Sequence, residues 1–231
     1  YELTTERVTK ALTEYFDVDA PFDFEAQEEA QAAADGDLIG RPPQFCPGCP
    51  HEKTFDAIKA VLGDDAIYAG DIGCYTLGVN KGALDIQFAM GAGTGFAAGL
   101  AQFNDEPILA TIGDSTFYHT GIPGLLNAIY NDADTTVVVL DNRTTAMTGQ
   151  QPNPSTGWNA VEEETEPMPI ENIARAAGAP FVEVVNPYQS DSIEETIEEA
   201  VATEGTSVVV ARAPCVLFNQ DYGQQLEEIE T

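Results

Sequence analysis

Thr136-Val137-Val138-Val139-Leu140 runs directly into Asp141-Asn142, and this stretch decides the fold. The part from Val137 to Leu140 is apolar at every position, which predicts a β-strand buried on both of its faces. Val208-Val209-Val210 has the same pattern. Strands of this kind occur in parallel sheets that carry helices on both sides. The sequence therefore predicts an α/β fold with a parallel sheet and helices on both faces.

Short apolar runs alternate with stretches of helical periodicity from Cys46 onward. The predicted strands are Ala66–Ala69, Ile108–Ile112, Thr136–Leu140, Phe181–Val185 and Ser207–Ala211, and the predicted helices are Glu52–Leu62, Gly91–Phe103, Gly121–Tyr130, Glu171–Ala177 and Ser190–Thr203. Regular alternation of strand and helix is typical of a parallel α/β sheet. The longest irregular connection is 144–170, and long loops in compact domains are often functional.

The chain has 231 residues, 43% of them hydrophobic, which is enough for one main core. Residues 1–40 are expected to form an acidic connecting arm, which begins with an amphipathic helix at Thr4–Phe16 and continues through an Asp/Glu/Ala-rich stretch. We assign 41–217 to the main domain and 218–231 to an acidic C-terminal tail. Because the first residue is Tyr1 rather than Met, we expect the sequence to come from a longer or processed chain.

Acidic residues dominate the charge: 39 Asp and Glu against nine Lys and Arg give a formal net charge of −30. Such a surface repels phosphate backbones and anionic lipid, so nucleic acid is excluded as a partner. The sequence has neither an apolar run of about 18 residues nor a basic-then-apolar N-terminal segment, so we expect a soluble, cytoplasmic protein without a membrane anchor. A high-salt cytoplasm is one explanation of the charge, and an ordinary acidic protein is the alternative.

Polar residues follow two of the predicted strands. Gly113-Asp114-Ser115 follows the second strand, and Asp141-Asn142-Arg143-Thr144 follows the third, with 26 residues between Ser115 and Asn142. Parallel strands bring their carboxyl ends to one edge of the sheet, where ligands bind. Mg²⁺ prefers oxygen ligands, which the Asp114 carboxylate, the Asn142 side chain and the Thr144 main-chain carbonyl would supply. The alternative is a turn followed by a helix cap.

Four cysteines are present in a chain too large, and without an export signal, to be a disulfide-bonded miniprotein. Cys46 and Cys49 lie on a tight Cys-Pro-Gly-Cys turn, while Cys74 and Cys215 each follow a predicted strand. The carboxyl ends of parallel strands would bring the four thiols together. An iron–sulfur cluster, a structural Zn²⁺ and metal-free buried thiols are the three alternatives.

Four linked motifs carry a resemblance to a known family: Cys-Pro-Gly-Cys-Pro-His (46–51), Gly-Asp-Ile-Gly-Cys-Tyr-Thr-Leu-Gly (70–78), Gly-Asp-Ser-Thr-Phe-Tyr-His-Thr-Gly-Ile-Pro (113–123) and Leu-Asp-Asn-Arg-Thr-Thr-Ala-Met-Thr-Gly-Gln-Gln-Pro (140–152). They resemble the thiamine-diphosphate module of the indolepyruvate branch of the 2-oxoacid:ferredoxin oxidoreductases. The resemblance covers roughly residues 41 to 217. The chain departs from the general thiamine-diphosphate signature at Ser115, where Gly is usual, and the indolepyruvate branch resembles this chain in having Ser.

The resemblance implies a set of site residues. Asp114, Asn142 and Thr144 would hold Mg²⁺, and Cys46, Cys49, Cys74 and Cys215 would hold a 4Fe-4S cluster. The residues expected to bind the cofactor are Ile72, Gly73, Cys74, Met90, Gly91, Gly113, Asp114, Ser115, Asn142, Thr144 and Thr148. A side chain at Gly113 would crowd the diphosphate. His51 and His119 are the candidate catalytic residues, for proton transfer or for binding the substrate carboxylate, with a structural hydrogen bond as the alternative for each.

The family's reaction is the oxidative decarboxylation of a 2-oxo acid to an acyl-coenzyme A, with electrons passed to ferredoxin. The resemblance implies that the catalytic glutamate comes from a separate pyrimidine-binding domain, so we expect an oligomeric enzyme and a chain that is inactive by itself. Pyruvate or 2-oxoglutarate as substrate, a non-oxidative thiamine-diphosphate decarboxylase or synthase, and a zinc-stabilised non-catalytic module are the alternatives.

Overall fold

A computed structural model describes residues 3–35, 39–161 and 163–217, and the chain divides into two units, residues 1–43 and 44–231. The first unit contains α1 (Thr5–Phe16), which begins after Thr4, and α2 (Phe24–Asp35). The prediction of the first helix is confirmed. The second helix was missed, although its Ala, Glu and Gln residues favour helix. The predicted tail at 218–231 lies outside the described residues.

The second unit alternates helices and strands. Its elements are α3 (Pro50–Leu62), β1 (Ile67–Ala69), a 3₁₀ helix (Cys74–Lys81), α4 (Ala92–Leu100), β2 (Ile108–Gly113), α5 (Asp114–Thr116), a π-helical turn (Phe117–Gly121), α6 (Ile122–Tyr130), β3 (Thr135–Asp141), α7 (Ile170–Ala177), β4 (Val182–Val185), α8 (Ser190–Ala202) and β5 (Thr206–Arg212). Each predicted strand and helix of this unit is present, with ends shifted by a few residues. The 3₁₀ helix and the π-helical turn were not predicted.

The strands pair in parallel in the order β1-β2-β3-β5-β4. β2 and β3 are buried at every position, as is nearly all of β5, because neighbouring strands and helices cover both of their faces. The predicted α/β fold with a parallel sheet is therefore confirmed.

Two hydrophobic clusters lie on opposite faces of the sheet. On one face, Phe55 of α3 and Ile193 of α8 pack with Val138 of β3. On the other face, Leu125 of α6 packs with Val137 of β3, together with residues of α4 and α7. Successive strand residues point to opposite faces, so one apolar run contributes to both clusters. Each fully buried valine or leucine stabilises the fold by about 1.5–3 kcal/mol.

The order of the elements leaves one edge of the sheet open for a ligand. β1, β2 and β3 are neighbours, and the segments after their carboxyl ends run through 70–91, 114–121 and 142–169. Ligands in parallel α/β folds bind at this edge. No helix in the described part of the chain is long and apolar enough to cross a membrane.

Candidate functional site

A cleft opens at the carboxyl ends of β1, β2 and β3. It is lined by His51, Ile72, Gly73, Cys74, Tyr75, Met90, Asp114, Ser115, Thr116, Asn142, Thr144, Thr145, Ala146, Met147 and Thr148. Ten of the predicted site residues line it: His51, Ile72, Gly73, Cys74, Met90, Asp114, Ser115, Asn142, Thr144 and Thr148. The fold thus brings together motifs that are far apart in the sequence.

Asp114 lies at the floor of the cleft, at the start of α5 and directly after β2. Its Oδ1 accepts a hydrogen bond from the main-chain N–H of Ser115 (2.7 Å), and its Oδ2 lies 3.1 Å from the Ser155 hydroxyl. The side chain is buried, and this burial together with the nearby charge of Asp141 raises the pKa of Asp114 to about 7. A buried carboxylate with neutral hydrogen-bond partners favours a cation beside it.

Asn142 and Thr144 lie on the tight turn that follows β3. Arg143 between them has φ +60°, and the Asn142 Oδ1 accepts a hydrogen bond from the Thr144 N–H (3.3 Å). The Arg143 guanidinium in turn donates to the Ser155 carbonyl (2.7 Å), which ties this turn to the long loop. Both Asn142 and Thr144 are buried, and the Thr144 hydroxyl is without a hydrogen-bond partner.

Residues after β3 are also linked to one of the cysteines. The N–H of Cys215 donates to the carbonyl of Asn142 (3.0 Å), and the N–H of Ala213 donates to the carbonyl of Asp141 (3.1 Å). Arg212, which precedes Ala213 at the end of β5, forms ion pairs with the buried Asp141 (2.7 Å) and with Glu171 (2.6 Å). The pairing between β3 and β5 therefore extends to the edge of the cleft and fixes Cys215 beside Asn142.

Gly113 has a steric role that the sequence did not reveal. A Cβ at this position would lie 2.1 Å from the hydroxyl of Tyr75 and 2.3 Å from its ring. The Tyr75 hydroxyl is also 3.2 Å from that of Thr116, and its ring contacts His51 at a centroid separation of 5.8 Å. Gly113 is thus covered by Tyr75, and a side chain there would meet this ring whether or not a diphosphate is present. Tyr75 belongs to the motif at 70–78, and its position next to Cys74 could have identified it from the sequence as a residue of the site.

Asp71 is a second residue that sequence reasoning missed, although it belongs to the quoted motif 70–78. Its carboxylate accepts hydrogen bonds from the N–H groups of Gly91 (2.7 Å), Ile72 (2.8 Å) and Gly113 (3.4 Å). Gly91 and Gly113, both predicted to bind the cofactor, therefore lie behind the cleft wall and are held by Asp71.

His51 lies in the first turn of α3, with its ring in the wall of the cleft. Only 3% of the residue is exposed, and neither ring nitrogen has a hydrogen-bond partner. Burial lowers the pKa of His51 to about 4, which favours the neutral ring. A buried polar ring without a partner requires an explanation, and a ligand in the cleft is one.

His119 is placed differently from His51. It lies in the π-helical turn Phe117–Gly121, its side chain is exposed, and it is not one of the residues that line the cleft. The structure thus brings the first predicted catalytic histidine to the cleft wall and leaves the second at the surface.

All four cysteines are free thiols, and they lie close enough to affect one another electrostatically. Burial raises the pKa of Cys74 to about 11, with further contributions from Cys49, Cys215 and Cys46. Burial likewise raises the pKa of Cys49, with contributions from Cys46 and Cys215. The Tyr188 hydroxyl donates to the carbonyl of Gly48 (2.7 Å) and holds the Cys-Pro-Gly-Cys turn.

The arrangement of these thiols is looser than a formed metal site. Within residues 3–35, 39–161 and 163–217, no group of three or more His, Cys, Asp or Glu side chains has the geometry to hold a metal ion. The donor chemistry fits a metal or an iron–sulfur cluster, since four free thiols lie near one another, but the thiols are not at coordination geometry.

A family described as "Thiamine pyrophosphate enzyme, C-terminal TPP binding domain" matches residues 71–211 of this chain. The match contains both polar turns of the cleft and the segment from Asp71 to Gly91.

Curated relatives with similar sequences are subunits of oxidoreductases and synthases. The indolepyruvate oxidoreductase subunit IorA of Thermococcus kodakarensis is 44% identical over 94% of this chain, and that of Archaeoglobus fulgidus is also 44% identical over 94%. The chain spans 36% of the length of these two relatives. The 2-oxoglutarate synthase subunit KorB of Archaeoglobus fulgidus is 30% identical over 75% of the chain and 70% of its own length.

Solved structures agree on the fold. A 2-oxoglutarate:ferredoxin oxidoreductase from Magnetococcus marinus superposes with a TM-score of 0.72 at 19% identity, over 81% of this chain and 71% of that one. A benzoylformate decarboxylase from Polynucleobacter necessarius gives a TM-score of 0.56 at 16% identity, over 77% of this chain and 35% of that one. At these identities the likeness concerns the fold alone.

Proposed function

This chain belongs to the thiamine pyrophosphate enzymes as a C-terminal TPP-binding domain, and we propose that it is the part of an aryl-pyruvate:ferredoxin oxidoreductase that holds the cofactor's diphosphate through Mg²⁺. The single observation that carries the proposal is the floor of the cleft. There the buried Asp114, Asn142 and Thr144 present oxygen donors to one space, and the described residues form no ion pair with Asp114.

The residues of the floor suit a hydrated divalent cation and a diphosphate. The Asp114 carboxylate, the Asn142 side-chain oxygen and the Thr144 main-chain carbonyl would hold Mg²⁺, as hard oxygen ligands do. Thr144 also has a buried hydroxyl without a partner, which a phosphate oxygen or a water would satisfy. Thr148 and Ser115 contribute further hydroxyl groups to the same cleft.

Thiamine diphosphate, when bound, supplies the electron sink for loss of carbon dioxide from a 2-oxo acid. The chain's own residues bind and orient the reactants. Ile72, Met90 and Met147 give the cleft an apolar lining. The neutral His51 ring has one N–H, which would donate a hydrogen bond to the substrate carboxylate.

Calorimetric titration of thiamine diphosphate tests the magnesium site. The wild-type protein is expected to bind the cofactor only with Mg²⁺ present, and Asp114→Asn and Asn142→Ala are expected to abolish this binding. Asp134→Asn, which changes an exposed carboxylate at the opposite end of β3, is the matched control and should bind normally. Magnesium-independent binding by the wild type, or unchanged binding by Asp114→Asn, would overturn the proposal.

We propose that Cys46, Cys49, Cys74 and Cys215 hold a 4Fe-4S cluster that passes electrons from the cleft toward ferredoxin. Two features support this proposal: the other three thiols lie near that of Cys74, and Cys74 also lines the cofactor cleft. Iron and acid-labile sulfide in anaerobically purified protein are expected in equal amounts, whereas stoichiometric zinc would refute the cluster.

A separate pyrimidine-binding domain or subunit completes the proposed enzyme. α4 and α6 carry no charged residue, although the whole chain has a net charge of −30. Large apolar side chains are exposed in and beside these helices, among them Phe88 (75%), Phe103 (89%) and Tyr130 (87%). Exposed apolar surface of this kind typically marks an interface with another protein. Oligomeric assembly, a coenzyme A acceptor and a cytoplasmic location are parts of the same proposal.

The exposed face of α4 offers a test of this docking. A Cβ at Gly95 meets no atom within 4 Å, so Gly95→Asp fits the folded chain while placing a charge on the apolar face. We expect this variant to keep its Mg²⁺ site but to lose association with the partner subunits in size-exclusion chromatography. Ser192→Asp, on the exposed face of α8, is the matched control. Normal assembly of the Gly95 variant would contradict the assignment of this face.

A non-oxidative decarboxylase is the second candidate function, since the benzoylformate decarboxylase shares the fold. The four neighbouring cysteines favour the oxidative reaction because a non-oxidative enzyme needs no electron outlet. Steady-state comparison of indolepyruvate, phenylpyruvate, pyruvate and 2-oxoglutarate with the reconstituted enzyme would identify the substrate. We expect the aryl pyruvates to give the highest kcat/KM, and product formation without reduction of ferredoxin would favour the second candidate.

A further inference from the structure

Asp71 occupies the junction of three segments that form the cleft. It follows β1 by two residues, and only 1% of the residue is exposed. Its Oδ1 accepts the N–H groups of Gly91 (2.7 Å) and Ile72 (2.8 Å), and its Oδ2 accepts that of Gly113 (3.4 Å). One carboxylate thus connects the segment after β1, the start of α4 and the end of β2.

Each of the three bonded N–H groups belongs to a residue that lines the cleft or is the sequence neighbour of one that does. Ile72 lines the cleft itself, Gly91 follows Met90, which also lines it, and Gly113 precedes Asp114 of the floor. Gly91 has φ +78°, and a Cβ there would lie 2.1 Å from the Thr120 hydroxyl, so its place is fixed from the other side as well. Asp71 is therefore bonded both to the turn that contains Met90 and to the turn that contains Asp114.

The main chain of Asp71 is held independently of its carboxylate. Its carbonyl accepts hydrogen bonds from the side chains of Gln87 (2.6 Å) and Thr76 (3.2 Å), and these two side chains are themselves bonded to each other (2.8 Å). These hydrogen bonds hold the main chain of Asp71 in place. Movement of Gly91 or Gly113 relative to the Asp71 carboxylate would therefore break a hydrogen bond inside the protein.

Stability alone is a weak explanation for a buried carboxylate here. Among the described residues, no Lys, Arg or His lies within ion-pair distance of Asp71, so its charge is balanced only by N–H dipoles. Removing an ion from water is costly unless hydrogen bonds compensate for it. A carboxylate is nevertheless required by geometry: an amide offers a single acceptor oxygen, so Asn would direct an NH₂ group at a main-chain N–H.

We propose that Asp71 is a positioning residue for the diphosphate site, which holds the Met90–Gly91 turn and the Gly113–Asp114 turn at the separation that Mg²⁺ and thiamine diphosphate require. This inference rests on the proposed function and extends it to a residue that lies behind the cleft wall. Asp71 acts through the N–H groups that it holds in place.

The test compares Asp71→Asn with the wild type in the assembled enzyme by two measurements. The first is the Kd for thiamine diphosphate at saturating Mg²⁺, which is expected to rise at least about tenfold, as for loss of an outer-shell partner. The second is hydrogen–deuterium exchange of cofactor-free protein, which is expected to speed up in peptides covering 88–95 and 111–116. Wild-type affinity in Asp71→Asn would overturn the proposal, even if its melting temperature fell.

Asp85→Asn is the matched control. The Asp85 carboxylate also accepts a main-chain N–H of β1, that of Tyr68 (2.9 Å), but the side chain is not part of the cleft. We expect this variant to lose stability without any change in Kd. An equal loss of affinity in both variants would mean that general destabilisation explains the result, which would also overturn the proposal.

If Asp71→Asn does not fold, Gln87→Leu provides the second variant. It leaves the carboxylate intact and removes one support of the Asp71 main chain, so a rise in Kd of about three- to fivefold is expected, in line with the loss of one hydrogen bond. An unchanged Kd in Gln87→Leu would then refute the positioning role. Failure of the proposed function would appear as a lack of Mg²⁺-dependent cofactor binding in the wild type. The exchange rates of 88–95 and 111–116 in cofactor-free Asp71→Asn do not depend on that binding, so they test the role of Asp71 separately.

Discussion

Substitution of Gly113 by Ala separates two explanations for glycine at this position. In the structure, an added Cβ would lie 2.1–2.3 Å from Tyr75, far inside ordinary van der Waals contact. Gly113 has φ −79°, so alanine itself adopts this backbone conformation without strain. The cost of Gly113→Ala must therefore come from displacing the Tyr75 ring, even when no cofactor is bound.

The magnitude follows from two opposing contributions. Overpacking of this kind costs about 1–3 kcal/mol, because the Tyr75 ring is confined by His51 and by its hydrogen bond to Thr116. Replacing glycine by alanine also restricts the unfolded chain, which stabilises the protein by about 0.4–1 kcal/mol. We expect a net loss of about 1–2 kcal/mol for Gly113→Ala. For a chain of this size, this loss lowers the melting temperature by about 2–8 °C.

A double-mutant cycle with Tyr75→Ala checks this reasoning. Once the ring is removed, Gly113→Ala is expected to be neutral or slightly stabilising, so the sign of its effect reverses and the coupling energy is about 1–3 kcal/mol. Thermal and urea unfolding of cofactor-free protein measure all four variants. An equal cost of Gly113→Ala with and without Tyr75 would refute the steric argument. If crowding of the diphosphate were the only constraint, Gly113→Ala would be as stable as the wild type and would lose only cofactor affinity.

Three further predictions concern charge. Arg212→Met leaves Asp141 and Glu171 without their shared cation, so we expect the free energy of unfolding in urea titrations to fall by about 3 kcal/mol. Arg212→Lys should lose less, and a loss below about 1 kcal/mol for Arg212→Met would contradict this. Burial opposes ionisation of Glu171, but hydrogen bonds from Arg212 outweigh it and hold the pKa of that carboxyl below the ordinary value for glutamate. Its stabilising contribution is therefore present above about pH 4.5 and lost as pH falls through the folded pKa, so Glu171→Gln should lose less stability than the wild type as the pH falls below about 4.5. Finally, the net charge of −30 predicts a higher melting temperature in about 2 M KCl than in about 0.1 M KCl, because salt screens the repulsion between the acidic side chains. An unchanged melting temperature would count against adaptation to high salt.

The strands and most helices of the second unit could be predicted from the sequence because their cause is local. Val137 to Leu140 are apolar at each position, and only a strand covered on both faces buries all of them. The polar turns at Asp114 and Asn142 follow such strands, so their meeting at one edge was also predictable. The segment at Cys74–Lys81 was missed because a 3₁₀ helix has no comparable periodic signal.

The sequence by itself determined the parallel α/β fold, the edge at which the motifs meet and the family, because buried runs and contiguous motifs are properties of neighbouring residues. The tertiary structure alone decided that Tyr75 covers Gly113, that Asp71 holds Gly91 and Gly113, and that His51 faces the cleft while His119 is exposed. The contacts of Asp71 and Tyr75 join residues about 20 to 42 positions apart. They depend on the direction of each side chain after the sheet has formed, which no local pattern in the sequence specifies.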